Sequence, residues 1–300
     1  MAQTEESLSA DEILKRASEQ TKEYLQTFRN LAATEKKTFE TLRSNGSVKK
    51  SRTVESNFIV YQLSKQDDKI VEYRHVLAVD GKRLEKADLR AQDFFEKLMK
   101  VENSSRELEQ IKNESLRYDD EVQFDGYTLF QGVALSSKLA DVVDHDLART
   151  EIIDGVETYV LNYQQVSPSN FVFLVRKDKA APADSLISFD PGDRSNEEMN
   201  VRLRGTLWID KATLQIRREM RELTIQPDGT AQPTVISQTK FNYQNSEFGI
   251  LTPKRIESTI YHYDKKKATA TAEVRAIFEY SSFSRPDVEV ESSEVKGKEN

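Results

Sequence analysis

The chain has 300 residues, 37% hydrophobic and 32% charged, with a net charge of −7 and no cysteine. Charged residues average about 25% in globular domains, so the core is thin for the length, which suits a sheet buried on one face better than a doubly wound one. The negative charge argues against a nucleic-acid partner, and the lack of cysteine excludes a disulfide, a thiolate nucleophile and a Cys-ligated metal.

The first predicted element is a helix. Ser9 and Glu12 form a capping box, and Ile13, Leu14, Ala17, Tyr24, Leu25, Phe28 and Leu31 recur at helical spacing. An antiparallel block follows: TFETLRS, the Asn45-Gly46 turn, a strand through Phe58 and Tyr61, then IVEYRHVLAV closing on Asp80-Gly81. In the last of these, alternation puts Val71, Tyr73, His75, Leu77 and Val79 on one face, making His75 an interior or cavity-lining histidine. Two helices are predicted next, one opened by Asp88 with Phe94, Phe95, Leu98 and Met99 apolar, the other by Ser104 with Leu108, Ile111 and Leu116. They either cover the open face of the sheet or form a lid.

The segment GYTLFQGVALSSKLADVV reads as a short helix after a loop. A hairpin then turns at Asp154-Gly155 with Tyr159, Leu161 and Tyr163 on one face, and FVFLV near Phe171 to Val175 reads as a buried strand. The segment from Lys179 to Asn200, with two prolines and no period, is a long loop. From Val201 onward the period is two: Val201, Leu203, Gly205, Leu207 and Ile209 share one face, Arg202, Arg204, Thr206 and Trp208 the other. Beyond the Asp210 to Thr213 turn, Leu214, Ile216 and Met220 continue an apolar face against Gln215, Arg217, Glu219 and Arg221. Pro227-Asp228-Gly229 turns the chain again. Val235, Phe241 and Tyr243 follow on one face, then Phe248, Ile250, Ile256 and Ile260. In the final strand Ala268, Ala270, Ala272, Val274, Ala276, Phe278 and Tyr280 line one side. Four alanines leave room in a close-packed interior, to be filled by a helix or by an apolar ligand. The tail from 286 to 300 is charged, aperiodic and expected to be disordered.

No enzyme motif is present: no Gly-x-Ser-x-Gly elbow, no His-Glu-x-x-His, no Gly-rich phosphate loop. His145 sits among Asp141, Asp144 and Asp146, but neighbours in sequence point in different directions, so a solvated acidic turn is favoured over a metal site. The acidic loop with Asp190, Asp193, Asn196, Glu197 and Glu198 lacks the calcium-loop order. The expectation is no catalytic residue, no metal and no cofactor. No run approaches the roughly 18 apolar residues of a transmembrane helix. The amino end lacks the order of a signal peptide, while Ala2-Gln3 fits the residues that follow a cleavage site, so an exported protein with its signal peptide removed is expected.

Two phrases, GTLWIDKATLQIRREM and FGILTPKRIESTIY, together with the leading amphipathic helix, resemble the periplasmic lipoprotein carriers and receptors of the LolA/LolB type and the related amino-terminal half of the RseB stress sensors. Glu12 to Glu19 is similar to the opening of uncharacterised exported bacterial proteins. The family resemblance implies an α+β fold: a long, strongly curved antiparallel sheet, an incomplete β-barrel, with helices covering its concave face, and acyl chains bound on that face. The domain is expected to span residues 1–285, with a helical insertion at about 88–118 that a typical carrier lacks. The amino-terminal cysteine of a membrane-anchored receptor is absent, and the family's cavity arginine has no assignable position here. The expected ligand-facing residues are Phe58, Tyr73, His75, Trp208, Phe241, Tyr243, Ala270, Ala272, Val274 and Phe278. Expected partners are lipid or lipoprotein acyl chains and an envelope protein, with a periplasmic or otherwise exported location. The alternative is a protein-binding or sensor module of the cell envelope that uses the same sheet with its cavity plugged, for which Trp208 beside Arg202 and Arg204 is a contact candidate.

Overall fold

Ser9 caps the first helix as its sequence predicts: its Oγ accepts from the Glu12 amide at 3.3 Å, and the Glu12 carboxylate accepts from the Ser9 amide at 3.1 Å. Those bonds hold the Glu12 carboxyl below its ordinary range. The helix α1 (Ala10–Phe28) buries Ile13, Ala17, Tyr24 and Phe28, one stripe along its length. In this computed structural model the described residues are 8–29, 31–62, 70–85, 113, 115–118, 127–174, 185–189, 201–227, 232–264 and 266–285. Most of the predicted insertion, the acidic loop, the Asp228-Gly229 part of one turn and the tail lie outside them.

The strands are β1 (Ala32–Leu42), β2 (Val48–Gln62), β3 (Ile70–Val79), β4 (Lys82–Arg83), β5 (Val143–Ile153), β6 (Val156–Gln165), β7 (Val172–Leu174), β8 (Ile187–Phe189), β9 (Val201–Asp210), β10 (Ile216–Ile225), β11 (Thr234–Gln244), β12 (Thr252–Asp264) and β13 (Thr269–Ser284). Eleven of them form one open, curled antiparallel sheet in the order β4-β3-β2-β1-β13-β12-β11-β10-β9-β6-β5. The hairpins turn where predicted: Gly46, Gly81 and Gly155 have positive φ, as do Asp80 and Asp154. The FVFLV segment contributes only β7, which pairs in parallel with β8, inside the segment expected to be a loop. The segment after Tyr127 makes turns and two short 3-10 helices, Val133–Leu135 and Ser137–Leu139.

One face of the sheet, here the inner face, carries α1: Phe28 meets Phe58 of β2 at 6.3 Å between ring centroids, and Tyr24 meets Tyr243 of β11 edge-on at 6.1 Å. Cross-strand partners run along this face from Lys37 through Phe278, Ile256, Phe241, Glu219 and Leu207 to Leu161.

Three expected alternations fail, each for a reason in the register. In β10, an irregularity between Ile216 and Arg218 shifts the pairing with β9, so Glu219 and Arg221 turn inward with Ile216 while Met220 moves to the other side. A one-residue slip exchanges the faces of everything beyond it. In β13, an extra residue sits opposite the Ile260–Tyr261 step. Ile260 pairs with Val274 on the inner face. Ala272 and Ala270 instead pair with Tyr261 and Tyr263, and leave the row that Val274, Ala276, Phe278 and Tyr280 share. In β3 the polarity is reversed, with Glu72 and Arg74 facing inward and Tyr73 and His75 buried on the opposite side, and an extra residue between Val76 and Ala78 then returns Val79 to the inner face opposite Val54.

Candidate ligand site on the inner face

Two turns hold the sheet's best-formed stretch in place, and they belong to the two recognised sequence phrases. Asp210 accepts from the amides of Ala212 (2.8 Å) and Thr213 (3.0 Å) and from Arg217 Nε (2.8 Å). Its backbone carbonyl takes the Leu214 amide at 2.8 Å. An aspartate at this place thus closes the β9–β10 turn with both side chain and backbone. Gln215, just beyond, donates to the Gly249 carbonyl and accepts from the Leu251 amide, each at 2.9 Å, and so clamps the β11–β12 turn to the β9–β10 turn.

The inner face between these strands and β1 to β3 is lined by aromatic rings. Phe241 and Tyr243 lie parallel at 6.4 Å, and Phe58 and Tyr280 edge-on at 5.4 Å. Tyr127 lies over β12, its ring 6.3 Å from Phe241 of β11 and 6.0 Å from Phe278 of β13, with its hydroxyl 3.2 Å from Ser258 Oγ. Ser258 in turn lies 3.0 Å from Thr239 Oγ1.

Two charged clusters are buried beside the rings. In the first, Arg74 donates through Nε to Glu35 (2.7 Å) and through Nη2 to Glu72 (2.8 Å), with its guanidinium over the Phe58 ring. In the second, Arg221 Nε donates to Glu219 at 2.8 Å and the guanidinium lies 4.6 Å from the Phe241 centroid. Both glutamates of the first pair and Glu219 are almost fully withdrawn from water. Such groups are tolerated only when paired and hydrogen-bonded.

Residues 127–135 supply partners to both clusters. Glu72 Oε1 accepts from the Thr128 amide (2.9 Å) and hydroxyl (2.6 Å). Arg221 Nη2 donates to the Phe130 carbonyl (2.6 Å), and Glu219 Oε2 accepts from the Gly132 amide (3.0 Å). From α1, Tyr24 Oη donates to the Thr128 carbonyl (2.8 Å) and Ser18 Oγ to the Leu135 carbonyl (3.1 Å). Burial pushes the Glu72 carboxyl up, but Arg74 and the Thr128 hydrogen bonds outweigh it and hold it below its ordinary range. Burial alone would lower Arg221, and Glu219 beside it raises it instead. The phenols of Tyr24, Tyr163, Tyr243 and Tyr280 are held well above their ordinary range by burial.

Of the residues expected to face a ligand, Phe58, Phe241, Tyr243, Val274 and Phe278 lie on the inner face, the first three and Phe278 around α1 and Tyr127. Tyr73 and His75 lie on the other face of β3, and Ala270 and Ala272 beyond the β13 irregularity, half-buried. Trp208 also points away from α1: its Nε1 donates to Glu151 at 2.7 Å and Arg218 stands over its ring at 6.0 Å. That bond is the largest reason the Glu151 carboxyl is lowered, with Arg149 next. His145 lies 3.2 Å from the Ala134 carbonyl through Nε2, and burial lowers its imidazole. No group of three or more His, Cys, Asp or Glu able to hold a metal ion occurs among the described residues.

Sequence reading missed the charged inner cluster. A signal was present in β1, where Ala33, Glu35, Lys37 and Phe39 alternate on one face: two charges in an otherwise apolar row.

No family model and no curated protein matches the chain. It is similar to several solved structures at low identity. A DUF1329 family protein from Desulfovibrio piger is 11% identical over 92% of this chain and 94% of that one, with a TM-score of 0.35. A putative outer membrane lipoprotein-sorting protein domain from Vibrio parahaemolyticus is 8% identical over the same shares of each chain, also with a TM-score of 0.35. A LolA superfamily protein from Nitrosomonas europaea is 11% identical over 94% of this chain and 96% of that one, with a TM-score of 0.32. The last of these bears the name of the carrier family that the sequence phrases resemble.

Proposed function

We propose that the chain is a non-enzymatic, exported protein that binds an apolar ligand, a lipid or lipoprotein acyl chain, on the inner face of its curled sheet. In this reading the inner face is concave, and α1 with residues 127–135 covers it when no ligand is bound. The observation that supports it is the position of the Tyr127 ring on the inner face, beside both Phe241 and Phe278. Tyr127 belongs to a segment that bonds to the buried charged side chains of the sheet and also packs Val133, Ala134 and Leu135 into the core.

Magnitudes bear on which ligand could displace that segment. Four charge-assisted bonds at about 1.5–3 kcal/mol each resist displacement by roughly 6–12 kcal/mol in gross terms. An acyl chain of about fifteen methylenes gains roughly 12 kcal/mol at about 0.8 per methylene. The buried Val133, Ala134 and Leu135 add to that resistance, so a ligand with two or three chains is favoured over one with a single chain.

Native mass spectrometry of the purified protein, followed by denaturation, is expected to release acyl lipid, and a fluorescent fatty acid is expected to displace a hydrophobic dye. Neither occurring would sink the carrier reading.

The buried clusters favour a second reading, a protein-binding or sensor module of the envelope in which residues 127–135 remain a permanent plug. Glu72→Gln with Glu219→Gln separates the two. Loosening a gate raises dye and lipid uptake, whereas loosening a plug lowers stability without uptake.

A further inference from the structure

At one end of the sheet, β4 is only two residues long, and the β3 edge beside it is met by Ser115, whose Oγ accepts from the Arg74 amide at 3.1 Å. At the other end lies β5, eleven residues long. One of its edges pairs with β6, and among the described residues no strand pairs with the other. Every second residue of such an edge presents an unpaired N–H and C=O. Residues Val143 to Leu147 run in unbroken register with β6, and the irregularity comes only between Leu147 and Arg149.

The side chains of this stretch divide by face. His145 and Leu147 are half-buried toward the inner side, while Asp144 and Asp146 are exposed on the outer side. There they border a groove of about 480 Å³ that crosses the outer face from β5 over β6 and β9 to β10, with Asn162, Arg204 and Glu222 along it. Arg204 is already committed to Glu222 at 2.7 Å. Asp144 and Asp146 form no ion pair among the described residues, so those residues leave this end of the groove negative.

We propose that residues 143–147 of β5 accept an extended basic peptide segment as an added strand. Its backbone would pair with the free edge, and lysine or arginine at alternate positions would enter the groove beside Asp144 and Asp146. Apolar residues between them would cover His145 and Leu147. Strand addition draws affinity from main-chain hydrogen bonds and specificity from alternate side chains. A second copy of this chain is disfavoured as the occupant, because an antiparallel pair centred on His145 sets Asp144 against Asp146 of the other copy, and like charges directly opposite destabilise. The proposal is independent of the apolar ligand.

The test uses the full chain and two short fluorescent peptides, one alternating Lys and Val and the other Glu and Val, followed by anisotropy. The Lys–Val peptide is expected to bind and the Glu–Val peptide to fail. Asp144→Asn with Asp146→Asn is expected to weaken binding roughly tenfold, as is N-methylation of alternate peptide amides, at about 1.4 kcal/mol per tenfold. Both aspartates are exposed, so the variant's circular dichroism and melting are expected to match the parent. Should it unfold, the N-methylated peptide on the unaltered chain decides. Equal binding of both peptides, no binding of either, or indifference to N-methylation would overturn the proposal.

Discussion

Gly205 allows the inner face to hold its second charged cluster. A Cβ built there would stand 2.0 Å from the Met220 carbonyl oxygen and 2.5 Å from the Tyr163 hydroxyl. The absent side chain therefore lets Tyr163 lie across β9 and donate to Glu219 at 3.2 Å. Gly205→Ala is expected to cost about 3 kcal/mol, at the upper end for overpacking because backbone is in the way, read as a lower midpoint in urea. Gly132 is constrained twice: its φ is +57°, and a Cβ would meet Ile216 Cδ1 at 2.4 Å. At this scale the sequence was legible where a residue follows its strand's period, as Phe58, Phe241 and Phe278 do. It was not legible at Glu219 and Arg221, because the slip that turns them inward depends on how β10 pairs with β9, and pairing is a property of two strands at once.

Among the elements, α1 joins local signals to a tertiary role. Ser9→Ala removes the cap and is expected to cost about 1 kcal/mol, measurable as a drop in thermal midpoint. Because Tyr24 and Ser18 hold carbonyls of residues 128 and 135, fraying of α1 should also speed amide exchange in 127–135. Gln215→Ala breaks both bonds between the two clamped turns and is expected to cost about 1–2 kcal/mol, at about 1 per neutral bond. The capping box, the Asn45-Gly46 and Asp154-Gly155 turns and the long strands from Val201 were all visible in the sequence, since each depends on neighbours within four residues or on a period of two. The segment 127–139 was not. Its short 3-10 turns have no period, and its place is set by Glu72, Glu219 and Arg221 from strands far away in the chain.

For the whole molecule, the buried ionisable groups set a pH window. Glu72, lowered by Arg74 and Thr128 against its burial, contributes stability that is present above its ordinary value of 4.5 and lost as pH falls through its folded value. His145, lowered by burial, likewise contributes above 6.5 and loses that contribution on acidification. The raised phenols of Tyr24, Tyr163, Tyr243 and Tyr280 act oppositely. Their contribution is present below 10.0 and lost as pH rises through their folded values. Thermal midpoints are therefore expected to be level between about pH 6.5 and 10 and to fall on both sides. On the alkaline side, the tyrosinate absorbance of these four phenols should appear together with unfolding rather than before it.

The position of β13 orders events in time. It is the last strand among the described residues, yet it stands between β1 and β12, and Arg275 Nε donates to Glu40 at 2.6 Å across 235 residues of sequence. The β1 to β4 meander is thus a wing whose backbone pairing to the rest of the sheet is made by β13, with α1 and residues 127–135 bridging the two parts through side chains. A chain emerging amino end first, from a ribosome or through a membrane pore, holds that wing with an unpaired β1 edge until residues 269–284 arrive. Closing so long a loop is slow, and an open edge invites pairing with other chains. A chain ending at Asp264 should keep the β9–β12 meander while its amino-terminal wing becomes the first part cut by protease. The same delay makes the unfinished molecule a natural client for a holding chaperone.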